Sequence, residues 1–166
     1  MKVLLIAAVS ADGKIAESED QLSLDWTSKE DLRFFIDKTK ETGVVIMGRK
    51  TFDTIGKPLK ERQVVVMTRS PESQKEMDGV EYTNESPKEI LDRLSGLGIK
   101  SVVVAGGSSI YSMYLKEGLV TDVYLTVEPY LFGGGVPLAS GFERIKMQLE
   151  EVTQLGENGV LLHYQT

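Results

Sequence analysis

Val44-Val45-Ile46-Met47-Gly48-Arg49-Lys50-Thr51-Phe52-Asp53-Thr54-Ile55-Gly56 decides the fold class. Its opening apolar run reads as a strand buried on both faces, because a strand with one wet face alternates apolar and polar residues. Gly48 marks a tight turn, and Arg49 to Ile55 has the length of a short helix ended by Gly56. A buried strand feeding directly into a helix is the unit of a parallel sheet covered by helices.

The same alternation continues outward. Val3–Val9 is a second short apolar run, followed by a polar, acid-rich stretch from Ser10 to Asp25 that reads as a long loop ending at Trp26. Loops of that length are uncommon unless functional or disordered. Thr27-Ser28-Lys29-Glu30 has the capping-box form, with Thr27 as N-cap and Glu30 three residues on. It predicts a helix to about Lys40, with Leu32, Phe35, Ile36 and Thr39 on one face and Asp31 at its margin. Strands are expected at Gln63–Thr68, Val80–Thr83, Ser101–Val104 and Asp122–Val127. Helices are expected after Ser86-Pro87-Lys88-Glu89 and over Ser108–Lys116. Met147–Val152 and Val160–Tyr164, around Asn158-Gly159, read as a closing hairpin. The expectation is one α/β domain over residues 1–166: a central, mainly parallel sheet, an antiparallel C-terminal edge hairpin, and helices on both faces.

Composition narrows the function classes. The chain has 166 residues, a net charge of −6 and a pI near 4.9. Proteins that coat nucleic-acid phosphates are normally basic, so no nucleic-acid partner is expected. The first apolar run is far shorter than the ~20 residues that span a bilayer, and no signal-peptide pattern is present, so a cytoplasmic protein without a membrane partner is expected. Cysteine is absent and His163 is the single histidine. Thiolate metal sites, cysteine nucleophiles and histidine triads are thereby excluded or hard to build, and no metal is expected. Catalysis must rest on carboxylates, hydroxyls, backbone dipoles or a borrowed cofactor.

Loops at the carboxyl ends of parallel strands bind ligands, and here they carry the unusual residues. Arg49 and Lys50 oppose the dipole of the helix they open unless an anion sits between them, and Arg69 follows the next strand. The group reads as a phosphate site or as a solvated basic turn. Ala105-Gly106-Gly107-Ser108-Ser109 follows a strand and opens a helix. It reads as a pyrophosphate seat or a tight turn with a serine cap, and it is neither the dinucleotide fingerprint nor a P-loop. Asp31, if buried beside the apolar stripe, would have a raised pKa and could hold a proton; otherwise it is an ordinary first-turn acid. Arg62 reads as a partner for a substrate carboxylate or as a surface residue. Gly133-Gly134-Gly135 reads as a lid or a plain loop. Trp26, Phe35, Ile110 and Tyr111 are most simply core residues.

These pieces, in this order, resemble the dihydrofolate reductase family. The resemblance rests on Ile6-Ala7-Ala8, Trp26 and Asp31-Leu32 with Phe35, and above all on Val45 to Phe52 with Ile55-Gly56-Lys57-Pro58-Leu59 and Arg62. Val66-Met67-Thr68-Arg69, Ala105 to Tyr111 and Tyr124-Leu125-Thr126 follow at the expected separations. Ser10-Ala11-Asp12-Gly13-Lys14-Ile15-Ala16 and Phe132-Gly133-Gly134-Gly135-Val136-Pro137-Leu138 look more like the reductase domain of riboflavin synthesis, a related fold with the same cofactor. The resemblance implies a three-layer fold and NADPH-dependent reduction of 7,8-dihydrofolate, with a pyrimidine reductase of riboflavin synthesis as the alternative. It implies Asp31, Trp26 and Thr126 as the catalytic set, with Ile6, Ala8, Leu32, Phe35, Ile55 and Arg62 around the substrate. Arg62 would meet its glutamate carboxylate. Arg49, Thr68 and Arg69 would hold the cofactor's 2′-phosphate. Gly106, Gly107 and Ser108 would cover its pyrophosphate. Ala8, Ile15, Gly48, Lys50, Thr51, Ser70, Ala105, Ser109, Ile110 and Tyr111 would complete the cofactor site. The Ser10–Asp25 loop would close over the nicotinamide. Both monomers and homodimers occur among such proteins.

Overall fold

The computed structural model describes residues 1–21 and 23–166; position 22, inside the stretch expected to be a long loop, lies outside the described residues. In chain order the elements are β1 (Lys2–Ser10), β2 (Lys14–Ala16), α1 (Lys29–Thr42), β3 (Val44–Gly48), α2 (Arg49–Ile55), β4 (Gln63–Met67) and β5 (Val80–Thr83). Then come α3 (Pro87–Gly96), β6 (Ser101–Val104), α4 (Ser108–Lys116), β7 (Asp122–Glu128), β8 (Val136–Pro137), β9 (Gln148–Leu155) and β10 (Gly159–Gln165).

One 8-stranded sheet has the order β5-β4-β3-β6-β1-β7-β10-β9. Every neighbouring pair from β5 to β7 is parallel, and β10 runs antiparallel to both β7 and β9. The expected α/β class and the antiparallel terminal hairpin are both present. Successive strand residues point to opposite faces, which sorts the core into two layers. Leu5, Ile46, Val65 and Val104 meet Ile90 and Leu94 of α3 and Tyr111 and Tyr114 of α4. On the other face, Leu4, Ile6 and Val103 meet Phe34 and Phe35 of α1, while Val45, Met47, Val64 and Val66 meet Phe52 of α2. Burial on both faces is why these strands read as unbroken apolar runs.

The start of α1 corrects the expectation. Its N-cap is Ser28, not Thr27: the Ser28 hydroxyl accepts the Asp31 N–H, and Asp31 therefore occupies the position expected of Glu30. The helix also runs past Lys40 to Thr42, where Gly43 takes a left-handed conformation and closes it. In α3 the capping box forms as expected between Ser86 and Glu89.

The Ser10–Asp25 stretch is not an open loop. Within it β2 pairs with β8, and residues Ser23–Asp25 form a turn of 3-10 helix. The Asp12 carboxylate accepts the Ser10 hydroxyl and the backbone N–H groups of Phe132 and Gly133. Those bonds, the Ser10 hydroxyl foremost, pull its pKa down to about 2. Gly135, at φ +104°, passes so close to β2 that a Cβ there would lie 2.3 Å from the Ala16 carbonyl oxygen. The glycine run is thus a docking segment for β2 rather than a free lid.

Candidate active site

The carboxyl ends of β1, β3, β4 and β6 open into one cleft of about 1390 Å³. Two strand-to-helix turns meet at its floor, where the Gly48 N–H donates to the Gly106 carbonyl over 2.7 Å. Both sides of that contact are tight, and Gly106 also has a positive φ. A Cβ on Gly48 would stand 3.0 Å from Ile110 Cγ1, and one on Gly106, at φ +101°, would stand 3.0 Å from the Tyr111 hydroxyl. That hydroxyl donates to the Ile6 carbonyl at 2.6 Å, which ties α4 to the central strand. Burial pushes its pKa far up, so it stays a donor. The first turn of α4 leaves the N–H groups of Ser108 and Ser109 without helical acceptors, facing an approach kept open by Gly106 and Gly107. A Cβ on Gly107 would come within 3.2 Å of Thr51 Oγ1, so α2 and α4 share this corner.

The basic residues divide differently from the expectation. Arg49 is paired with Asp53 one helical turn on, and Lys50 with Glu19 across the cleft mouth. Arg69, beside Thr68 and Ser70 on the cleft wall, makes no ion pair among the described residues. Of Arg49, Lys50 and Arg69, the last is therefore the one without an acid partner among the described residues. The Arg49–Asp53 pairing has the i,i+4 spacing that stabilises exposed helices.

The opposite wall is α1. Asp31 is buried, and burial, with the Glu128 charge behind it, raises its pKa; the nearby hydroxyls of Thr126 and Thr27 oppose the rise. The Thr126 hydroxyl is itself buried and makes no hydrogen bond of ordinary geometry, yet it stands near enough to Asp31 to favour the carboxylate. Leu32, Phe35 and Ile55 supply apolar surface beside it. Arg62 reaches in from the turn before β4. Its Nη1 donates to the buried Thr39 hydroxyl at 2.8 Å and its Nε to the Lys60 carbonyl at 3.0 Å. Burial lowers its pKa without threatening its charge.

Of the residues expected at the site, Ile6, Ala8, Ile15, Thr51, Thr68, Ser70, Ala105, Ser108, Ser109, Ile110 and Tyr111 all line the cleft, as do the residues named above. Two do not. Thr126 lies behind Asp31, and Trp26 is buried edge-on against Phe132 and Tyr130, its indole N–H without a partner. Sequence reasoning missed Thr39, which anchors Arg62, Thr27, which flanks Asp31, and Glu128. Among the described residues no group of acids and histidine is arranged to hold a metal. No helix among them is long and apolar enough to cross a membrane.

A glycine-lined floor at two helix starts faces a wall with a buried carboxylate in an α/β fold, and the family match assigns this arrangement to the reductase-type enzymes. The dihydrofolate reductase family profile matches residues 2–133, and the chain belongs to that family. An uncharacterised Bacillus subtilis protein, YwjB, is 29% identical over 98% of this chain and 97% of its own length. The dihydrofolate reductase of Buchnera aphidicola is 31% identical over 80% of this chain and 75% of its own. In three dimensions, a Shewanella protein provisionally assigned to riboflavin biosynthesis superposes with a TM-score of 0.84 at 22% identity, covering 99% of this chain and 98% of its own. Enterococcus faecalis dihydrofolate reductase, solved with NADP(H), superposes at 0.73 with 25% identity, covering 99% and 95%.

Proposed function

We propose that this chain reduces 7,8-dihydrofolate to tetrahydrofolate with NADPH. The observation that carries the reading is the placement of Asp31 and Arg62 along one helix. Arg62 is tethered at Thr39, eight residues past Asp31, a rise of about 12 Å along α1. A buried carboxylate at one end and a cation at the other, with apolar walls between, suit a flat ring bearing N–H groups and a remote carboxylate tail.

The cofactor corner fits a dinucleotide. Gly106 and Gly107 leave the room that a Cβ would fill, Ser108 and Ser109 offer backbone donors to a pyrophosphate, and Arg69 with Thr68 suits a 2′-phosphate. NADPH supplies the hydride when bound there. The chain's own contribution is positioning and proton affinity. Asp31 accepts hydrogen bonds from the ring's amino and N–H groups, fixing its face toward the floor of the cleft. Burial raises its proton affinity above that of a free aspartate, which suits it to assist protonation of the ring imine nitrogen. The buried Thr126 hydroxyl stands beside Asp31 and favours its carboxylate form. Leu32, Phe35 and Ile55 exclude water, and so does Ile15 on the β2 segment.

A second reading, reduction of a ribosylaminopyrimidine phosphate, is favoured by the Asp12 clasp between the β2 and β8 segments, the two stretches that resemble riboflavin-pathway reductases. Incubation of the chain with NADPH and each substrate in turn, following reduced-nicotinamide absorbance, separates the two. Turnover of dihydrofolate alone is expected; turnover of the pyrimidine alone overturns the proposal.

A further inference from the structure

We infer that Glu128 is a positioning residue for Asp31: it takes over the capping bond of α1 and so leaves the Asp31 carboxylate free for the substrate. The inference rests on the reading of Asp31 as the residue that meets the ring.

The chain contains its own comparison. In α3 the capping box is complete: the Ser86 hydroxyl accepts the Glu89 N–H, and the Glu89 carboxylate accepts the Ser86 N–H at 2.8 Å. In α1 only half of the box is local. Ser28 accepts the Asp31 N–H at 3.2 Å, but the Ser28 N–H donates to Glu128 Oε1 at 2.7 Å, from a residue 100 positions away. Asp31 occupies the position whose side chain ordinarily makes that return bond. With Glu128 in place, the local acceptor is not needed.

Strand β7 makes the substitution possible. Thr126 and Glu128 are two residues apart, so both point to the same side of the sheet, and both are buried, at 1% and 3% exposure. One strand thus delivers a hydroxyl toward the Asp31 oxygen and a carboxylate to the helix start above it. A buried carboxylate is costly unless it is hydrogen-bonded, and the positive end of a helix is where its charge is best tolerated. The titratable groups facing Asp31 are Glu128 from β7 and Tyr111 from α4, whose hydroxyl is already committed to Ile6. β1 contributes Ile6, Ala7 and Ala8 to the cleft and no charge. Glu128 is therefore the group that can hold the proton affinity of Asp31 up by its charge.

The test titrates Asp31 itself, by carbon NMR of carboxyl-labelled aspartate, in the unmodified chain and in Glu128→Gln and Glu128→Ala. No substrate is present, so the result stands apart from the choice between dihydrofolate and a pyrimidine. Glu128→Gln keeps an oxygen for the Ser28 N–H and removes the charge. The Asp31 pKa is expected to fall, because a negative charge facing it is removed while burial stays the same. Glu128→Ala removes the acceptor too. Asp31 is then expected to swing back to Ser28, with a larger fall in pKa, a rise in KM and a loss in kcat for the substrate turned over. The acid limb of the kcat profile moves with the titration in both variants. Rescue of KM by Gln but not by Ala separates positioning from charge. If Asp31 titrates unchanged in both variants, Glu128 is a helix cap only and the inference is wrong.

Discussion

Thr39→Val isolates the tether of Arg62 without touching the charge. Thr39 is fully buried, and valine matches its shape, so packing is conserved. What is lost is the 2.8 Å bond from Arg62 Nη1 and the threonine's own shared donation to the Phe35 carbonyl at 2.6 Å and the Ile36 carbonyl at 3.1 Å. The bond from Arg62 Nε to the Lys60 carbonyl remains. A hydrogen bond to a charged group contributes about 1.5–3 kcal/mol when buried, and Arg62 is partly solvated, so about 1 kcal/mol of preorganisation is at stake. That converts to a KM for dihydrofolate raised about fivefold. With Arg62 assigned to the tail and not to the reacting ring, kcat is expected to stay put. The assay is steady-state oxidation of NADPH with dihydrofolate and with a dihydropterin lacking the glutamate tail. The tail-less compound should show no change on substitution. An equal rise in KM for both compounds, or a fall in kcat at constant KM, refutes the assignment of Arg62 to the tail.

Two further outcomes follow from the same geometry. Arg69→Ala should raise the Kd for NADPH about tenfold or more while leaving NADH within about twofold, since a charge-assisted contact to the 2′-phosphate is lost; equal weakening of both cofactors, measured by fluorescence titration, refutes that contact. Asp31→Asn should raise the melting temperature at pH 7. A carboxyl whose folded pKa lies above its ordinary 3.8 adds stability at low pH that is lost as pH rises through the folded pKa, so the neutral variant's advantage should vanish below about pH 4. A calorimetric scan showing the opposite slope contradicts the burial argument.

The fold was legible because its signals are local. Unbroken apolar runs at Val44–Met47 and Val102–Val104, each leading through a glycine turn into a helix, need no knowledge of distant partners. The Ser86 box could be read for the same reason. The start of α1 was misplaced by one residue because Thr27 and Ser28 both cap well and Glu30 and Asp31 both complete a box. Glu128 settled the matter from 100 positions away, and nothing in the local pattern shows it. The pairing of β2 with β8 was hidden likewise, since each strand is very short and its partner is distant. At the site, chemistry-bearing residues were visible but their pairings were not. Arg49 and Lys50 looked alike as free cations, yet each is spoken for by an acid, while Arg69 is not. Thr39 was visible only as a member of an apolar stripe, because its partner Arg62 arrives from another loop.

The most direct test of the central claim is turnover of dihydrofolate by the unmodified chain and by Asp31→Asn at pH 7, with NADPH affinity measured in parallel. The account predicts saturable oxidation of NADPH, a loss of about 10²- to 10⁴-fold in kcat for the variant, and cofactor binding changed by less than about twofold. Saturable turnover that survives the substitution, or no turnover of dihydrofolate by a chain that binds NADPH, contradicts it.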